Sequence, residues 1–220
     1  MTRYISLRLL LVVPIFALMA MMNSGCASAL GTLSYGIFGP AANPAKYVLP
    51  KEPTLVLVEN YRNPSAAEFD ADQVASEVTD DLKKNNVAPI VDLDKLLAIR
   101  DADPNKYRTM KIQDIGRAVG AKQIVYVDLV AAAVELDPSQ RALHGKAAAR
   151  VRVVEVASGD TRWPAGMAEG YPVESEIPYN DADPRIATAM NGQMISELSE
   201  QIGNLFHEWK PENERGSYDK

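Results

Sequence analysis

The first half of the chain alternates between the apolar periods of strands and of helices. An unbroken apolar run at 54–59 follows Pro53 and precedes a polar loop, which predicts a buried strand. Apolar residues then recur about every fourth position across 70–84, which predicts a helix with one buried side. Asp70 or Asp72 can cap its amino end. A second apolar run at 87–91 predicts another strand.

After residue 91 the chain contains two short segments with helical spacing of apolar residues. A region in which apolar and polar residues alternate follows, and then a long segment with helical spacing. The second short helix ends at Gly120, which predicts a left-handed carboxyl cap. The long stripe follows Pro184, a residue that commonly opens helices. The predicted elements are helices at 93–99 and 111–119, strands at 123–136, 145–157 and 161–171, and a helix at 184–209.

The order of these elements, β-α-β-α-α-β-β-β-α, predicts the fold class. Segments of both periods in one chain of 220 residues indicate an α/β (α+β) fold. We expect a single-domain layer sandwich with a mixed sheet of about five strands and helices mainly on one face.

The amino-terminal segment has the pattern of an export signal. A basic start is followed by an apolar run at 9–22, which is shorter than the roughly 20 residues of a transmembrane helix. Small residues then precede Cys26, and this step resembles a bacterial lipobox, although Asn23 stands where an aliphatic residue is usual. The resemblance implies lipidation of Cys26 by acyl chains such as palmitate. An ordinary signal peptide cut near Ala27 and a transmembrane anchor are the alternatives.

Breaker residues and polarity divide the rest of the chain. We expect a signal peptide at 1–25, the lipidated cysteine and a flexible tether rich in glycine and proline at 26–53, a single domain at 54–210, and a disordered tail at 211–220. Ala27 follows the cysteine where aspartate would resemble an inner-membrane retention signal. The predicted location is therefore the periplasmic face of the outer membrane, with the lipid as the membrane contact.

Composition narrows the possible functions. The chain has 23 basic and 29 acidic residues, a net charge of -6, so it lacks the basic excess that nucleic-acid binding requires. A single cysteine and two histidines cannot supply a usual zinc site. Because no phosphate loop, dinucleotide fingerprint or nucleophile elbow is present, we expect no cofactor, no metal and no catalytic residue.

Two motifs carry a resemblance to a known group. A helix leads through Gly120 and Ala121 into the strand Lys-Gln-Ile-Val-Tyr-Val-Asp-Leu, and a later strand reads Val-Arg-Val-Val-Glu-Val-Ala-Ser-Gly-Asp at 151–160. This pattern resembles envelope lipoproteins of the curli-secretion-channel subunit and penicillin-binding-protein-activator type, whose domain is similar to the TolB amino-terminal fold. The resemblance covers about 54–209 and implies no shared catalytic residue.

Few side chains suggest a specific role. We predict that Trp163, Tyr171 and Tyr179 contact a partner, because aromatic residues among prolines make good anchors, although core packing is the alternative. Asp128 lies in an apolar strand, and we expect it at a solvent-facing or edge position. His144 is expected at a rim near a turn.

These observations predict a non-enzymatic, lipid-anchored periplasmic protein that binds another envelope component as an adaptor or activator. The first alternative is an oligomeric secretion or transport-accessory lipoprotein, in which strand edges pair between copies. The second is a small-ligand binder or hydrolase that uses a cleft of the sheet lined by Asp128 or His144.

Overall fold

The computed structural model describes residues 42–60, 70–137, 142–179 and 187–211. Backbone contacts divide the chain into a unit at 44–209 and a second unit formed by 1–43 and 210–220. The first unit contains nearly all of the described residues. The predicted signal peptide, Cys26, and nearly all of the predicted carboxyl-terminal tail lie outside the described residues.

The described residues form five strands and five helices. Their order and bounds are β1 Thr54–Glu59, α1 Ala71–Lys84, α2 Leu93–Ala102, α3 Pro104–Tyr107, α4 Ile112–Val119, β2 Gln123–Asp137, β3 Ala142–Glu155, β4 Thr161–Trp163, β5 Tyr171–Tyr179 and α5 Ala187–Gly203.

The strands make one mixed sheet, which confirms the predicted fold class. β1 runs parallel to β2, and β2 pairs antiparallel with β3. The far side of β3 is shared, because β4 pairs with it near Val153 and β5 pairs with it from Leu143 to Val151. The sheet therefore has five strands in the order β1-β2-β3, and β4 and β5 pair with successive parts of the remaining edge of β3.

Helices cover both faces of the sheet, so the prediction of helices mainly on one face was wrong. One cluster joins side chains such as Val125 and Val151 to α1 and α5. The other joins Ile124 and Val154 to α2 and α4. Successive strand residues point to opposite faces, and each short helix has its own apolar side to bury. The strands are consequently apolar at consecutive positions where both faces are covered.

The folded unit begins at Pro44 rather than at the predicted Thr54. Leu49 is only 2% exposed and belongs to the cluster under α1 and α5. The backbone N–H groups of Lys46 and Tyr47 both donate to the carbonyl of Leu205, at 2.8 and 3.0 Å. The buried side chain of Gln123 donates to the carbonyl of Pro50 at 2.9 Å. Residues 44–53 are thus part of the domain and not of a tether.

Two predicted strands have different bounds in the structure. Of 87–91, only Ile90 makes a bridge, to Thr54, because Pro89 has no N–H to extend a ladder. The predicted strand at 161–171 is β4, then a turn with Gly166 and Gly170 at positive φ, then the first residue of β5. The strand β5 itself was not predicted.

Candidate functional site

An aromatic stack lies where three chain segments meet. The ring of Trp163, at the end of β4, stacks between Tyr47 and Tyr171 with centroids 5.8 and 5.1 Å away. Phe206, just after α5, meets the same indole edge-on at 6.0 Å. Trp163 is half-buried, and its contacts join the segment before β1 to β5 and to the end of α5. Trp163 thus packs among several segments of the domain, and its contact with a partner stays a prediction.

Tyr171 belongs both to this stack and to an open groove between β5 and α5. The groove has a volume of about 390 Å³. Its apolar lining comes from Tyr171, Pro172 and Val173 on the strand side and from Leu205 and Trp209 beyond the helix. The chain has two tryptophans, and one lines this groove while the other stacks on a tyrosine that does. We name this feature the β5–α5 groove.

The polar lining of the β5–α5 groove is mostly acidic. Glu174 on β5 and Glu197 and Glu200 on α5 line it, against the single cation Lys46. All three glutamates are exposed. The amide of Gln201 donates to Glu197 at 3.0 Å and holds that carboxylate on the helix surface. The groove therefore combines an apolar floor with a negative rim.

The structure separates the three aromatic residues that the sequence singled out. Tyr171 lines the β5–α5 groove, and Trp163 packs behind it. Tyr179 lies at the other end of β5, where its backbone pairs with Leu143, and its side chain lies outside the described set. The sequence did not indicate the acidic residues of α5 as site residues, because only the packing of α5 against β5 brings them to the groove.

A second, smaller cleft lies where β1 ends, and its volume is about 240 Å³. Ligands of α/β sheets often bind beyond the carboxyl ends of the strands. Arg100 and Asp72 both line this cleft. The guanidinium of Arg100 donates two hydrogen bonds to the carboxylate of Asp72, at 2.8 and 2.7 Å. Among the described residues that line it there is no serine, cysteine or histidine, and neither Asp128 nor His144 belongs to it.

Glu59 lines this smaller cleft and has an altered acidity. Burial raises the pKa of its carboxyl, although the Tyr126 hydroxyl donates to Glu59 at 2.8 Å and opposes that shift. Burial also raises the pKa of Tyr126, and the nearby Glu59 carboxylate adds to it. The Arg152 guanidinium lies 4.9 Å from the Tyr126 ring centroid. A carboxylate with a hydroxyl beside it is the kind of polar pair that the small-ligand alternative would use.

Asp128, His144 and His207 lie outside both clefts. Asp128 is 5% exposed, so the expectation of a solvent-facing position was wrong. His144 lies on β3, with Nδ1 3.9 Å from Glu176. His207 follows α5 and places Nε2 2.7 Å from Asp81 of α1. Neither histidine lines the two clefts described above.

The described residues contain neither a membrane-spanning helix nor a metal-binding cluster. Within these ranges no helix combines the length and the hydropathy needed to cross a bilayer. Within the same ranges no group of three or more histidine, cysteine, aspartate or glutamate side chains is placed to hold a metal ion.

Comparison with known proteins adds solved structures only. No family model and no curated protein matches the chain. The chain is similar to the PelC dodecamer from Paraburkholderia phytofirmans at 9% identity, over 76% of this chain and 96% of that one, with a TM-score of 0.39. It is similar to lipoprotein GNA1162 from Neisseria meningitidis at 13% identity, over 69% and 98%, with a TM-score of 0.40.

A third solved structure is lipoprotein B from Nitrosomonas europaea, which is 12% identical over 71% of this chain and 82% of that one, with a TM-score of 0.37. Two of these three structures are named lipoproteins. Similarity at this level assigns neither a family nor a function, and the resemblance to the curli and penicillin-binding-protein-activator group stays a prediction. These comparisons yield only that the chain is similar to structures that include bacterial lipoproteins.

Proposed function

We propose that this chain is a non-enzymatic lipoprotein of the bacterial envelope that binds another envelope protein through the β5–α5 groove. In this proposal lipid on Cys26 anchors it at the periplasmic face of the outer membrane. The fold holds the groove in place and presents it to the partner. Its role is that of an adaptor or activator.

The observation that carries the proposal is the composition of the β5–α5 groove. Tryptophan and tyrosine are enriched at the energetic centres of protein interfaces, and both Tyr171 and Trp209 line the groove. Charged residues surround the apolar floor, as they surround the centre of a protein interface. The smaller cleft at β1 has no serine, cysteine or histidine among its described lining residues, which favours binding over hydrolysis.

Lipidation is tested by Cys26→Ser. We expect the variant to leave the membrane fraction and to lose the mass of the acyl groups in intact-protein mass spectrometry, since stable anchoring needs at least two lipid chains. Ser28→Ala, two residues after the predicted lipidation site, is the control and stays in the membrane fraction. An unchanged mass with unchanged membrane association would contradict the anchor.

Partner binding is tested by photocrosslinking in the native envelope. A benzoylphenylalanine in place of Asn204, which lines the groove, is expected to give one dominant adduct with another protein. The control replaces Glu77, on the surface of α1 and outside the groove, and gives no such adduct. Equal labelling from both positions, or none from Asn204, would rule out the groove as the binding site.

A further inference from the structure

The charge of the β5–α5 groove restricts what can occupy it. Glu174, on the edge strand β5, and Glu197, on α5, both line the groove, and both are exposed. An acidic segment in the groove would approach a negative rim, and like charges in an interface oppose binding. A lysine or arginine could instead lay its apolar stem on the floor and direct its charge to the rim.

The backbone of β5 restricts the mode of binding. Pro172 pairs with Arg150, and Pro178 pairs with His144. Because proline has no N–H, these positions must be the ones whose N–H would point away from β3. The outward donors left between the two prolines belong to Glu174 and Glu176, whose side chains are exposed and charged. Prolines and charges on an edge strand oppose the addition of another strand.

We propose that the β5–α5 groove takes a segment of the partner in which a lysine or arginine lies beside apolar side chains, docked through side chains and not as an added strand. This inference rests on the proposed function and names the chemistry of the partner. The cation lies at the acidic rim that includes Glu174 and Glu197. Its apolar neighbours pack on Tyr171 and Leu205, and Trp209 offers an aromatic face to the cation.

The test selects peptides from a randomised phage-displayed library against the full chain. The groove variant is Glu174→Gln with Glu197→Gln, which removes both charges and keeps the side-chain size. The control variant is Glu176→Gln with Glu77→Gln. Glu176 lies two residues from Glu174 on the same strand face, and Glu77 accepts from Gln73 at 2.9 Å as Glu197 accepts from Gln201 at 3.0 Å.

We expect the selected peptides to carry lysine or arginine beside apolar or aromatic residues. Their affinity, followed by tryptophan fluorescence, should fall about two- to tenfold for the groove variant and stay unchanged for the control. The affinity of the unaltered chain should also fall as salt increases, because the contact is between exposed charges. The groove variant should lose most of that salt dependence.

Other outcomes overturn the inference. Selected peptides without basic residues, equal affinities for both variants, or no selected peptide at all would each reject it. Photocrosslinking from Asn204 separates this failure from failure of the proposed function. A partner captured there through a segment without lysine or arginine rejects only the inference, whereas the absence of an adduct rejects both.

Discussion

At the scale of single residues, burial changes what a side chain does. Glu59 ends β1, and burial raises the pKa of its carboxyl although Tyr126 donates to it. The folded protein therefore binds this proton more tightly than the unfolded chain does. By linkage, the resulting stability is present below the ordinary glutamate pKa and is lost as the pH rises through the raised value.

This pH dependence of the free energy of unfolding predicts the effect of Glu59→Gln. Glutamine keeps an oxygen that can accept from Tyr126 but carries no charge to desolvate. We expect the variant to have a higher free energy of unfolding than the unaltered chain near neutral pH, and the difference to vanish in acid, where Glu59 is neutral. Urea unfolding at several pH values measures this difference.

Glu169→Gln is the matched control, since it removes the same charge from an exposed turn. A stability difference for Glu59→Gln that stays constant from acid to neutral pH would contradict the argument. The same result for both variants would point to net charge rather than to burial.

At the scale of elements, close approach of α5 to α1 decides the packing under the sheet. Gly203, at the end of α5, faces Asp81 of α1 so closely that a β-carbon would overlap its carboxylate. Asp81 is not free to move, because His207 contacts it at 2.7 Å and Asn85 donates to it at 3.0 Å. Glycine at this position allows the two helices to meet.

Two glycine substitutions in the same helix should have opposite effects. We expect Gly203→Ala to lower the free energy of unfolding by about 1–3 kcal/mol, because the added methyl overpacks the contact. Gly192→Ala should raise it by about 0.5–1 kcal/mol, because nothing lies within 4 Å of the added atom and alanine favours helix. Urea denaturation of both variants measures the pair, and a change of the same sign in both would refute the packing argument.

At the scale of the whole unit, two apolar layers enclose the sheet and include residues from before β1. Leu49 belongs to the layer formed with α1 and α5. Its neighbour Val48 is 78% exposed, whereas Leu49 is 2% exposed. The segment at 44–53 thus contributes one side of the core although its proline content is typical of a linker.

Adjacent substitutions test whether this segment belongs to the domain. Leu49→Ala should lower the free energy of unfolding by about 2–4 kcal/mol, the usual cost of a buried leucine lost from a core. Val48→Ala should change it by less than about 0.5 kcal/mol, as for most surface positions. Urea unfolding measures both variants. Similar small effects in both would show that the segment is a tether and not part of the core.

Features that depend on neighbouring residues were predicted well from the sequence. Asp70 caps α1, and its side chain accepts from the N–H groups of Asp72 and Gln73. Gly120 ends α4 with φ of 80°, as its position after an apolar helix predicts. Such signals act within about one turn of backbone, so the sequence shows them directly. The element periods likewise gave the mixed fold class.

Features that depend on distant segments were decided only by the tertiary structure. The sequence identified Tyr171 as a candidate, but the groove also needs Glu197 and Leu205 from the far end of the chain. The carbonyl of Leu205 also accepts from the N–H groups of Lys46 and Tyr47, which joins the segment before β1 to the region after α5. Local patterns fix which residues are apolar, charged or helical, whereas the pairing of β5 with β3 and the packing of α5 decide which of them meet.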